Sequence, residues 1–177
     1  RVNGSGGITC FISFIVSACT PIVRLTFDDG QVRDVSGKNN WVQRIAVNVN
    51  NGYGYFGAVS GLLIPRFSNA PLGPIFMIKM RYRTDGAVTN RQALVTNGDC
   101  GKPGSIAILL DETTTTFLMR TDDGTMTDIP ITVANQVRTD YQSEWRTITY
   151  RFDNGVFSGE VDGNTPRNTN TVMSERL

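Results

Sequence analysis

Phe76-Met77-Ile78-Lys79-Met80-Arg81-Tyr82-Arg83 is the stretch that decides the fold. Phe76, Ile78, Met80 and Tyr82 alternate with Met77, Lys79, Arg81 and Arg83. A period of two belongs to a β-strand with one buried face, so the first set points to a core and the second to solvent. The same rhythm recurs on both sides. Val23, Leu25 and Phe27 alternate with Arg24, Thr26 and Asp28; Phe117 and Met119 with Leu118 and Arg120; Ile148, Tyr150 and Phe152 with Thr147, Thr149 and Arg151. Residues 91–96, 105–110, 129–133 and 156–161 are further strand-like runs. Asp153-Asn154-Gly155 and Asp122-Asp123-Gly124 are hairpin signals between them.

Composition agrees. The chain holds 16 valines, 13 isoleucines and 20 threonines against 8 alanines and 9 leucines. Branched side chains suit a pleated surface and lose rotamer freedom in a helix. No apolar run keeps helical spacing for long. About a dozen short strands predict an antiparallel β-sandwich of two packed sheets, since each apolar face needs a second sheet over it. Phe27, Phe76, Ile78, Met80, Ile106, Ile108, Phe117, Ile148, Tyr150 and Phe152 are the expected core. Residues 8–16 (ITCFISFIV) are too short to span a membrane, which takes about 20 apolar residues. They read as a strand buried on both faces. The 177 residues read as one domain, and residues 164–177 as a polar loop or frayed end.

Charge narrows the function. Lys and Arg total 17 and Asp and Glu 16, so the net charge is +1, and a nucleic-acid partner is not expected. The chain has no histidine, which excludes Ser-His-Asp and Cys-His catalysis and every histidine-ligated metal site. Retaining glycosidases on jelly rolls need two carboxylates about 5 Å apart. The nearest candidate, Glu160-Val161-Asp162, has Thr165 where a second glutamate would stand. A non-enzyme is therefore expected, with no required cofactor.

Three groups remain as candidate sites. Arginine outnumbers lysine 14 to 3, and alternation sends Arg24, Lys79, Arg81, Arg83, Arg120 and Arg151 outward. A guanidinium fork matches a flat oxyanion bidentately, so these are candidate anion- or mineral-binding residues. The plainer reading is a solvated sheet face with each arginine paired to an acid. Asp28, Asp29 and Asp34 are weak candidates for Ca²⁺, which takes six to eight oxygens. The plainer reading there is a turn that hydrogen-bonds to its own backbone. Trp41, Tyr53 and Tyr55 are candidates for a sugar-binding platform.

Three cysteines, Cys10, Cys19 and Cys100, form no C-x-x-C pair. One extended strand between Cys10 and Cys19 would hold them too far apart to bridge, at about 3.3 Å per residue. A Cys19–Cys100 disulfide is then expected, unless a turn intervenes. The start at Arg1 fits a domain cut from a longer secreted protein.

Several motifs, taken together, resemble laminin G-like domains over residues 22–163. They are Leu25-Thr26-Phe27-Asp28-Asp29-Gly30 with Asp34-Val35-Ser36-Gly37, Phe56-Gly57 with Leu63-Ile64-Pro65, and Trp145-Arg146-Thr147-Ile148-Thr149-Tyr150 with Val161-Asp162-Gly163. Asn97-Gly98-Asp99-Cys100-Gly101 and Lys102-Pro103-Gly104-Ser105-Ile106 look like the laminin G-like domains of mollusc nacre matrix proteins. The resemblance implies a jelly roll in a secreted, extracellular shell matrix. It implies association with chitin and calcium carbonate; with the outward arginines added, the expected partners are calcium carbonate, an acidic polysaccharide or a matrix protein, with no membrane span. A lectin-type domain and a protein-interaction module are the alternatives. Laminin G-like domains continue for several strands past the Val-Asp-Gly turn, and residues 8–16 are the spare run that could replace them.

Overall fold

The computed structural model describes residues 8–15, 21–57, 59–67, 73–84, 88, 90–97, 106–120, 126–132, 145–163 and 167–170. Among these residues the elements are strands and two short 3-10 turns, Asp28–Gly30 and Pro65–Phe67. The strands are β1 (Ile8–Ile15), β2 (Pro21–Thr26), β3 (Arg33–Asp34), β4 (Gln43–Ile45), β5 (Asn48–Asn50), β6 (Tyr53–Phe56), β7 (Gly61–Leu63) and β8 (Ile75–Thr84). They continue with β9 (Gln92–Thr96), β10 (Ile106–Leu110), β11 (Thr114–Arg120), β12 (Met126–Thr132), β13 (Arg146–Asp153), β14 (Val156–Val161) and β15 (Arg167–Asn170).

The larger sheet runs β15-β14-β13-β8-β1-β2-β3, with β5 and β6 attached beside β1. The second runs β12-β11-β10-β9, and β4 and β7 form a small ribbon of their own. Every recorded pairing is antiparallel. Within the apolar run at 8–16, Ile8–Ile15 forms a strand as expected, and it sits inside the sheet. β1 pairs with β8 along its whole length, Ile8 opposite Thr84 to Ile15 opposite Met77. Its other edge is shared: β6 takes Ile8–Cys10 and β2 takes Ser13–Ile15.

Two hairpins close on Asn-Gly. Asn51 and Gly52 join β5 to β6 with φ of 52° and 77°, and Asn154 and Gly155 join β13 to β14 with φ of 46° and 91°. Two successive positive φ angles are the type I′ turn, whose twist matches that of paired strands.

The sheets pack face to face. All ten expected core residues are buried, joined by Val23, Leu25, Tyr82, Leu110, Met119, Phe157 and Val161. Tyr150 binds the layers together. Its ring lies 6.1 Å from Phe117 and 5.0 Å from Phe157, and its hydroxyl donates to the Leu118 carbonyl at 3.2 Å. Burial pushes that hydroxyl's pKa well above its ordinary value. Gly159 of β14 faces Phe117, and a Cβ there would come within 2.6 Å of the ring's Cγ. Each large apolar side chain fully buried in this way contributes about 1.5–3 kcal/mol.

Two sequence expectations meet the structure differently. Within 164–177, residues Arg167–Asn170 are not loop but strand: Val156 pairs with Asn170 and Gly159 with Arg167. The open edge of β14 supplies main-chain donors and acceptors to any extended segment, whatever its side chains. Cys19 and Cys100 lie outside the described residues, and so does the expected bridge between them.

Candidate functional site

β8 carries the site because both its neighbours are strands. Its even-numbered side chains from Phe76 to Tyr82 enter the core, which forces Lys79 and Arg81 to the opposite face, where both are exposed. Strand register then decides which other candidates join them. Ser13 of β1 is the Cα partner of both Lys79 and Arg24, so the two cations lie on one row, two strand spacings or about 10 Å apart. On the other side, Thr149 stands opposite Lys79, Thr147 opposite Arg81, and Arg151 opposite Met77. Directly opposed residues share a face. Arg24, Lys79, Arg81, Arg83 and Arg151 therefore belong to one outer surface.

Arg120 does not. It sits on β11 of the second sheet, opposite Met126, on the far side of the sandwich. The face also carries acids: Glu160 of β14 stands opposite Thr149. Arg151 is ion-paired with Asp153, and Arg146 with Asp162 at 2.7 Å. Asp162 also accepts the Thr147 N–H at 2.7 Å. Among the described residues no carboxylate pairs with Arg24, Lys79 or Arg81.

One end of this face holds a group that the sequence reading passed over. Trp145 lies immediately before β13, and one step back along the register puts it opposite Arg83. The Arg81 guanidinium lies 5.2 Å from the indole centroid and that of Arg83 lies 5.5 Å from it. Tyr53 of β6 meets the same indole at 5.1 Å. Tyr55 is opposite Thr9, which is opposite Arg83, so it stands on the same row. Tyr53 and Tyr55 turn outward because Gly54 and Phe56 between and beyond them turn in, Gly54 lying against the buried Phe27 ring. The missed signal was parity: Trp145 extends the outward set of Thr147, Thr149 and Arg151 by one position. Trp41, the third aromatic candidate, is 66% exposed, and no ring contact among the described residues joins it to the other two.

In the aspartate loop, Asp34 is bound up with the backbone. Oδ1 of Asp34 accepts the backbone N–H groups of Arg24 at 2.9 Å and Ser36 at 3.0 Å. Oδ2 accepts the Ser36 hydroxyl at 2.9 Å, the Asn40 N–H at 3.0 Å and the Asn40 amide at 2.8 Å. Burial alone would raise its pKa, but the Arg24, Ser36 and Asn40 backbone donors and the Ser36 hydroxyl outweigh it and hold the carboxyl at about 2. Asp34 thus pins the loop to β2. Asp28 and Asp29 sit in the 3-10 turn with no buried side chain, Asp29 at a φ of 53°. Among the described residues no group of three or more acids and cysteines is placed to hold a metal ion.

No family model matches the chain. Two curated relatives resemble it at low identity. An asparagine-rich protein of Margaritifera margaritifera is 25% identical over 175 residues, covering 90% of this chain and 24% of its own length. A shell matrix protein of Mytilus californianus is 26% identical over 166 residues, covering 92% of this chain and 54% of its own. The chain thus spans less than two thirds of either. Among solved structures, it resembles the binding domain of Paraclostridial Mosquitocidal Protein 1, with a TM-score of 0.63 at 16% identity over 85% of this chain and 42% of that one. It also resembles the binding domain of botulinum neurotoxin serotype D, with a TM-score of 0.53 at 11% identity over 92% and 41%. At such identities the likeness concerns the fold, an antiparallel β-sandwich.

Proposed function

We propose that this chain is a non-catalytic module of an extracellular shell matrix, laminin G-like in kind, that holds calcium carbonate or an acidic matrix polymer on the cationic face of its larger sheet. The observation that carries the proposal is the shared face: Arg24 of β2 and Lys79 and Arg81 of β8 flank β1 on one surface, with no described carboxylate paired to them. A single exposed charge contributes little, often below about 1 kcal/mol, so useful affinity needs several cations on one surface. The resemblance of the two curated relatives, one of them a shell matrix protein, supports the setting. So does the likeness of residues 97–106 to the laminin G-like domain of the nacre matrix protein Pif. The absence of histidine and the engagement of Asp162 by Arg146 and the Thr147 N–H support a binding role over hydrolysis.

Sedimentation with calcium carbonate crystals tests the reading. Replacing Arg24, Lys79 and Arg81 together with glutamine keeps size and polarity while removing three charges. Adsorption should fall at least about tenfold, which is roughly 1.4 kcal/mol. Asp28→Asn with Asp29→Asn should leave it nearly unchanged. Loss with the aspartate pair and retention with the cation triple would replace the arginine face by a calcium-mediated contact.

A further inference from the structure

We propose that Arg81, Arg83, Trp145 and Tyr53 form a binding site for an acidic polysaccharide, one bearing uronate or sulfate groups. The inference rests on the matrix-binding reading above and selects one ligand from it. The two guanidiniums lie 5.2 and 5.5 Å from a single indole, and Tyr53 lies 5.1 Å from it. The chemistry of this group differs from that of the rest of the face. A carbonate lattice or a polyaspartate chain presents charge alone and has no use for an aromatic pair. A sugar ring presents apolar C–H faces, which pack on an indole or phenol, and its acid groups meet the guanidiniums beside them.

Three features of the surroundings suit such a ligand. The indole holds both guanidiniums in place before binding, which reduces the rotamer entropy lost when the ligand arrives. Asp162 already takes Arg146 and the Thr147 N–H, so it does not compete for Arg81. Along β8 and β13 the same face continues with Lys79, Thr147 and Thr149, a cation and two hydroxyls at strand spacing that suit acidic, hydroxylated rings, with Glu160 of β14 opposite Thr149 marking its acidic border.

The chain has two tryptophans, so Trp41→Phe leaves Trp145 as the lone tryptophan, read by excitation that tyrosine does not absorb. In that background, sodium alginate (a polyuronate) and chondroitin sulfate should each change Trp145 emission saturably, and their relative affinities distinguish carboxylate from sulfate. Dextran should not bind, and polyaspartate should bind at least about tenfold more weakly. Binding without the fluorophore is read by calorimetry. Tyr53→Leu and Trp145→Leu should each weaken alginate or chondroitin sulfate about tenfold while leaving carbonate-crystal adsorption within about twofold, and Trp145→Tyr should restore most of the loss. Far-UV spectra and thermal melts confirm that each variant is folded, and Tyr53→Leu serves if Trp145→Leu is not. Equal binding of polyaspartate, or polysaccharide binding indifferent to Tyr53 and Trp145, would overturn the site. Loss of both crystal and polymer binding only in the cation triple would leave the matrix-binding reading standing without it.

Discussion

Asp34 shows how much chemistry one side chain can absorb. Its carboxylate accepts five hydrogen bonds from Arg24, Ser36 and Asn40. Asp34→Asn puts an NH₂ where one oxygen accepts, leaving N–H donors facing a donor, and should cost about 1–3 kcal/mol at neutral pH. Urea melts would measure it. The pH dependence has a definite sign. A carboxyl held at about 2 in the fold, against an ordinary 3.8, contributes stability that is complete above the ordinary value and lost as pH falls through about 2. The gap between wild type and Asp34→Asn should therefore narrow between about pH 4 and pH 2. A constant gap would mean that the charge does not matter. The sequence left Asp28, Asp29 and Asp34 as weak oxygen donors for a cation or, more plainly, a turn bonded to its own backbone, and residue types alone could not decide between them. Whether a carboxylate is free or spent depends on where the backbone N–H groups of residues 24, 36 and 40 end up.

The strands tell the opposite story, because period two is a local property. Phe76 to Arg83, Val23 to Asp28 and Ile148 to Phe152 declared both their type and their buried face, and the structure agrees at every one of those apolar positions. Register was not legible. Nothing in the sequence told that Ser13 would stand between Lys79 and Arg24, or that Arg120 would end on the other sheet. Those facts depend on which strands pair, which is a long-range matter. β15 was missed for a related reason: a polar segment has no apolar parity to read, and only its partner's open edge makes it a strand. β1 lies at the centre of this pairing. Ile12→Pro removes a backbone donor from a strand bonded to β8 throughout, opposite Met80. Proline is found essentially only on edge strands or at bulges, so inside this sheet it should leave the chain unfolded or aggregated. A cooperative melt at the wild-type temperature would show β1 to be dispensable.

At the scale of the whole molecule the net charge is +1, while Arg24, Lys79, Arg81, Arg83 and Arg151 share one face. On that face Glu160 stands opposite Thr149, while Asp153 and Asp162 are engaged by Arg151 and Arg146. Such a molecule has little long-range attraction for a polyanion, and its binding must come from short-range contacts on that face. Salt then separates two contributions. The screening length falls from about 10 Å at 0.1 M to about 3 Å at 1 M, so contacts between exposed charges weaken steeply over that range. An aromatic ring packed on a sugar is not screened. Adsorption to calcium carbonate should therefore fall progressively with sodium chloride and nearly vanish by about 1 M. Alginate or chondroitin sulfate binding should fall at first and then level off at a residual that Trp145→Leu abolishes. Isotherms at stepped salt on one protein preparation measure both. Parallel salt curves for crystal and polysaccharide would mean that charge alone holds each ligand, and that the aromatic pair only props up the arginines beside it.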